Sequence, residues 1–181
     1  IDRDRLYVGF AFDSSTMTSS GYARVVKEWR RGTPLSAASL VYECPASDVG
    51  ADAWHDDTPG FERDWVQRSI TIYANELFLR RDGRLIKIEK PDDADAGTFR
   101  EWLLLRLRTD WNVGGTTYSA GSLIAIRLED FLAGQRGFDV LFEPSERISL
   151  DSWSTTRNAV LLSALDNVRS RVYVVRHGEG G

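Results

Sequence analysis

Along most of this chain apolar and polar residues alternate with a period of two, in short runs broken by glycine, proline and aspartate. The clearest stretch is residues 98–128. Thr98 to Arg108 reads as one long strand, with Leu103, Leu105 and Leu107 on one face and Leu104, Arg106 and Arg108 on the other. Gly114-Gly115 supplies the positive φ of a tight hairpin, and Gly121 to Leu128 returns as a second strand. The same reading places strands at Leu6–Phe10, Tyr22–Trp29, Ala38–Tyr42, Asp48–His55, Arg63–Tyr73, Glu76–Arg80 and Leu85–Ile88. The last two are joined by the hairpin signature Asp82-Gly83. Further strands fall at Phe138–Glu143, Ser149–Thr156, Ala159–Asp166 and Arg169–Arg176. Helix is confined to single turns at Leu128–Ala133 and Leu35–Ala38.

These strands gather into groups about 45–50 residues apart, the spacing of propeller blades built from four antiparallel strands. The expected fold is all-β: a β-propeller fragment of about three to four blades, with a β-sandwich of similarly short strands as the alternative. Residues 1–181 are read as part of one propeller domain. Because the chain starts at Ile1 and ends in Gly178-Glu179-Gly180-Gly181, a piece of a larger protein is expected.

Several segments resemble the propeller domain of the prolyl oligopeptidase family of serine peptidases, in a bacterial branch. They are Thr18 to Arg24 with Trp29 to Leu35, and His55-Asp56-Asp57-Thr58-Pro59-Gly60-Phe61-Glu62-Arg63-Asp64. Arg100-Glu101-Trp102-Leu103 through Gly121-Ser122-Leu123 follows, then Thr155 to Asn158 with Leu165 to Ser170. They occur in the family's order over most of the chain. Ala23 departs from it, since the branch usually has proline there. The resemblance implies a two-part enzyme, in which an α/β-hydrolase domain carries serine, aspartate and histidine and a seven-bladed propeller limits entry to short peptides. This chain would supply a non-catalytic, substrate-gating part of that propeller. Its expected partners are the parent's catalytic α/β-hydrolase domain and the short peptide substrate that passes the propeller.

Catalytic chemistry is not expected in the chain itself. The nucleophile elbow G-x-S-x-G, whose strained turn exposes the serine, does not occur. Only His55 and His177 could act as a base, so no catalytic residue is assigned. No metal or cofactor site is assigned either. His55, Asp56, Asp57, Glu62 and Asp64 are read as an exposed loop with an ion pair to Arg63 rather than as metal ligands. Asp92-Asp93-Ala94-Asp95-Ala96-Gly97 lacks the third acid before its glycine and has a leucine where a calcium loop closes on glutamate.

The six tryptophans are expected to pack between blades, with Trp111 in a loop and the most exposed. Arg106, Arg108, Arg169 and Arg171 are expected to pair with acids across strands. A net charge of −4 argues against nucleic acid and anionic membrane surfaces as partners, although twenty of the 23 basic residues are arginine. The single Cys44 cannot form an internal disulfide and is read as structural. No apolar run approaches the ~20 residues of a membrane span. A cytoplasmic setting is expected, with a periplasmic one as the alternative for the parent. A stand-alone propeller or sandwich that binds a protein or glycan is the alternative function. An open set of blades leaves apolar faces and strand edges uncovered, so the isolated chain is expected to self-associate through Leu6–Phe10 and Val172–Val175.

Overall fold

A computed structural model describes residues 3–10, 13–176 and 178. The chain is all-β, in two compact units, residues 1–92 and 93–181. Among the described residues no helix is long and apolar enough to cross a membrane.

In the first unit, β1 (Arg5–Phe10), β2 (Val25–Arg30) and β3 (Ser39–Glu43) form the antiparallel sheet I. A 3-10 turn, Leu35–Ala37, joins β2 to β3. Sheet II is a four-stranded meander of β4 (Gly50–Asp56), β5 (Arg63–Ser69), β6 (Asn75–Arg81) and β7 (Arg84–Lys87). The β6–β7 turn is the expected one: Asp82 and Gly83 both have positive φ, 51° and 72°, the pair a two-residue hairpin with right-handed strand twist requires.

In the second unit, sheet III has the order β13-β12-β9-β8. Its strands are β8 (Asp95–Phe99), β9 (Trp102–Arg106), β12 (Leu123–Arg127) and β13 (Asp139–Phe142). The hairpin of β10 (Trp111–Val113) and β11 (Thr116–Tyr118) is inserted between β9 and β12, and α1 (Leu128–Leu132) follows β12. Sheet IV is the meander β14 (Ile148–Thr155), β15 (Ala159–Asp166) and β16 (Arg169–Arg176). Sheets I to IV thus begin at Arg5, Gly50, Asp95 and Ile148, the blade-like spacing read from the sequence. The last interval is the longest because it holds the inserted hairpin and α1. Each sheet is built from strands close in sequence, whereas a Greek-key sandwich exchanges strands between two sheets.

Two expectations are corrected. Residues 98–108 are not one strand: the chain turns at Arg100-Glu101, and Phe99 pairs with Trp102 across a tight hairpin. Arg100 sits at φ 53°, a conformation that usually selects glycine or asparagine, so its residue type announced no turn. The strand from Arg63 ends at Ser69 rather than Tyr73, and the bend that follows leaves Ile72 and Tyr73 exposed.

Alternation still decides what is buried, but on both faces. Leu103, Leu105 and Leu107 are buried on one face of sheet III, and so is Leu104 on the other. Leu104, Leu123 and Ala125 pack with Leu150, Val160 and Leu162, which joins sheet III to sheet IV. Gly97 is required at that seam, because a Cβ there would lie 2.3 Å from the ring of Trp153.

Candidate functional site

Sheets I and II meet through a polar interior. Register sets His55 opposite Asp64 and Asp64 opposite Arg80, so these three side chains share one face of sheet II. His55 Nδ1 lies 2.9 Å from Asp64 Oδ1. Arg80 donates to Glu28 Oε2 at 2.6 Å and to the Tyr7 hydroxyl at 2.9 Å, and its guanidinium lies over the Tyr7 ring at 5.7 Å. Tyr7 and Glu28 are themselves opposite one another in sheet I. Burial raises the Tyr7 pKa, only partly offset by the hydrogen bond from Arg80.

A second ladder lies on the same face. Arg68 donates to both oxygens of Asp48, at 2.7 and 3.3 Å, and to Glu76 at 3.1 Å, while Lys87 reaches Glu76 at 2.6 Å. The Asp48 side chain is 4% exposed. The Lys87 ammonium, and after it Arg68, holds the Glu76 carboxyl below its ordinary range despite burial. Between the two ladders lies a small apolar core of Val26, Cys44 and Ala51, and Tyr42 meets Phe78 at a ring distance of 5.6 Å. Burial pushes the Cys44 thiol pKa up, which suits a packed rather than a reactive sulfur.

The second unit holds an apolar cleft of about 220 Å³ between sheets III and IV. Phe99, Trp102, Leu104, Leu141, Val160 and Val175 line its walls, and Asp139 and Arg176 also border it. Trp102 is held by the guanidinium of Arg127, 5.5 Å from its ring. Such a lining suits an apolar side chain better than a reacting group, since it presents no nucleophile and only two charges.

The residues singled out in the sequence are thereby placed. His55 and Asp64 come together as a strand pair, not as a loop, while Asp56 accepts hydrogen bonds from the backbone N–H and hydroxyl of Thr58. The Glu62 carboxyl is lowered by hydrogen bonds from its own N–H and that of Gly60. Asp93 accepts from the Thr109 hydroxyl at 2.9 Å, and Asp95 pairs with Arg108 at 3.1 Å. Among the described residues no three His, Cys, Asp or Glu side chains are grouped to hold a metal. His177 lies outside the described residues.

Arg171 pairs with Asp166 at 2.7 Å, as expected. Arg106 does not pair with an acid: it donates to the backbone carbonyls of Leu150 and Asp151 at 2.7 and 2.9 Å, where β14 bulges. A bulge turns carbonyls out of the ladder, and an arginine fork satisfies two of them. Trp111 lies in β10 and packs on Phe138 at 5.3 Å, half-buried, and Trp54 is the exposed tryptophan. Sequence reasoning missed the Asp48–Arg68–Glu76–Lys87 ladder, since its signal is strand register rather than a motif.

No family model matches the chain. It is 30% identical over its whole length to an uncharacterised peptidase, y4nA, of Sinorhizobium fredii, of which it covers 26%. It is 27% identical over 95% of its length to an uncharacterised peptidase, RP174, of Rickettsia prowazekii, covering 25% of it. The chain therefore spans about a quarter of the length of these relatives. Among solved structures, a post-proline cleaving enzyme from Rickettsia typhi superposes on 99% of this chain at a TM-score of 0.90, with 25% identity and 28% of that enzyme covered. Oligopeptidase B from Trypanosoma brucei shares the fold over 99% of this chain at a TM-score of 0.65 and 14% identity, with 24% of that enzyme covered.

Proposed function

We infer, from its kinship with peptidases of the prolyl oligopeptidase family, that this propeller segment gates substrate entry in a longer serine-type peptidase and performs no catalysis itself. The observation that carries this reading is the end-to-end match to one quarter of a post-proline cleaving enzyme. The missing nucleophile elbow and the packing of both units support it. His55 is hydrogen-bonded to Asp64, and the thiol of Cys44 is buried with its pKa raised, which suits packing rather than reaction. In the parent, the segment would act with a catalytic α/β-hydrolase domain and admit short peptides while a rigid wall excludes folded chains.

The test uses the parent peptidase, intact and with this segment excised, on a short proline-containing chromogenic peptide and on an unfolded protein. A fluorophosphonate probe of the active-site serine reports whether the excised form remains competent. Gating predicts that the labelled, excised enzyme gains cleavage of the long substrate relative to the short one. An unchanged ratio in a competent enzyme contradicts it, and a parent that no fluorophosphonate labels contradicts the serine type.

A further inference from the structure

We infer that the turn of residues 70–74, with Tyr22 beside it, is the surface on which the parent's catalytic domain docks; the inference rests on the gating reading above. At the end of the first unit where β4 starts, β5 ends and β6 starts, three large hydrophobic side chains stand in water. Tyr22 is 62% exposed, Ile72 76% and Tyr73 66%. Their backbone is held in place. The Tyr22 N–H donates to the Thr18 hydroxyl at 3.2 Å, and that hydroxyl, on a buried side chain, donates to the Val49 carbonyl at 3.0 Å. The Val49 N–H donates in turn to the carbonyl of Ser69, where the turn begins, at 2.9 Å. The turn is closed by the N–H of Ile70 on the Ala74 carbonyl and by the N–H of Tyr73 on the Thr71 hydroxyl. A hydrogen-bonded backbone under exposed side chains makes a preformed contact, because less freedom is left to lose on docking.

Charge and position select the occupant. Residues 14–23 and 69–75 contain no Asp, Glu, Lys or Arg, in a chain that is 28% charged. The opposite end of the same two sheets is charged, with Arg31, Asp57, Glu62, Asp82 and Arg84 all exposed there. Interface cores are depleted of charge and enriched in tyrosine, so the partner is a protein surface, apolar where it meets this end. Leu40, Val172 and Val174 are comparably exposed, but they lie on sheet faces, which neighbouring blades of a propeller cover. Turns at strand ends lie at the mouth of a propeller, where the next blade does not cover them. What covers them is the part of the parent outside the propeller, and this chain spans only about a quarter of its relatives' length. Three anchors make a small contact, of the kind that lets two domains of one chain part and close again.

The test uses the parent peptidase in the absence of peptide. Ile72→Cys and Leu35→Cys variants are treated with a maleimide, and modification at each position is followed by mass spectrometry. Leu35 lies at the opposite end and is only 39% exposed, so exposure alone would make Ile72→Cys the faster to react. Docking predicts the reverse, with Ile72→Cys slower than Leu35→Cys by about tenfold, as for a contact open about a tenth of the time. In parallel, Ile72→Glu should raise cleavage of an unfolded protein relative to a short proline-containing peptide several-fold, while Leu35→Glu leaves that ratio unchanged. Circular dichroism and fluorophosphonate labelling show that both glutamate variants keep the fold and the active site. Ile72→Cys reacting as fast as Leu35→Cys overturns the inference whatever the ratio does. Protection that vanishes on dilution overturns it too, since a second copy is then the occupant. Protection with an unchanged ratio upholds the docking and counts against gating alone.

Discussion

Between sheets I and II, charged side chains from both sheets meet across the interior, around an apolar core of Val26, Cys44 and Ala51 with Tyr7, Val41, Tyr42 and Ala53 packed against it. Between sheets III and IV the interior is Phe99, Leu104, Leu123, Leu150, Val160 and Leu162. The backbone problem is the same in both units: two twisted sheets must bury one face each. Two chemistries answer it. Apolar contact is non-directional and tolerates small shifts, whereas the Arg68 fork holds Asp48 only at the right angle and distance. The first seam therefore specifies geometry and depends on solution conditions, and the second supplies more of the stability.

The sharpest way to break this contrast is Leu104→Ala. Its side chain is buried at the centre of the second seam, and the truncation should cost about 2–5 kcal/mol. Denaturant unfolding measures the loss, and amide exchange should show it first in peptides from residues 93–178. Next comes Arg68→Met, which strands the buried Asp48 carboxylate. A cost of about 2–4 kcal/mol is expected, on the lower side because the arginine keeps 25% of its side-chain surface exposed. Adding Asp48→Asn to that variant should recover part of the loss.

Acid should separate the two seams next. The Glu76 carboxyl titrates below its ordinary range in the folded chain, so its contribution is complete above the unfolded value of about 4.3 and fades as pH falls through the lower folded value. Amide protection should accordingly fall in residues 3–92 before it falls in residues 93–176. The smallest effect lies outside both seams. Val168, at φ 63° in the β15–β16 turn, is a β-branched residue in a left-handed conformation, next to Asn167 at 47°. Val168→Gly should stabilise the chain by about 1 kcal/mol, read as a raised melting temperature.

The difference between the seams was only half legible in the sequence. Period-two alternation placed β15 at Ala159–Asp166 and β16 at Arg169–Arg176, because both strands have turn residues at their ends. It also placed the Asp82-Gly83 and Gly114-Gly115 hairpins. It did not find the turn at Arg100, where packing holds a residue in a conformation that its type does not favour. Nor did it find the polar ladders. Arg68 and Asp48 are 20 residues apart; the register of sheet II sets Arg68 opposite Glu76, and Asp48 reaches the same guanidinium from the turn before β4. Trp111 was misread for a related reason: a three-residue strand leaves too short a run for alternation to show, and Phe138 covers the ring from a distant part of the chain.

The measurement that bears most directly on the account is the reactivity of the purified chain itself. Incubated with a fluorophosphonate and with short proline-containing chromogenic peptides, it should show neither labelling nor hydrolysis, while a full-length relative treated alongside shows both. Stoichiometric labelling of any serine in this chain, accompanied by peptide cleavage, would contradict a non-catalytic propeller segment.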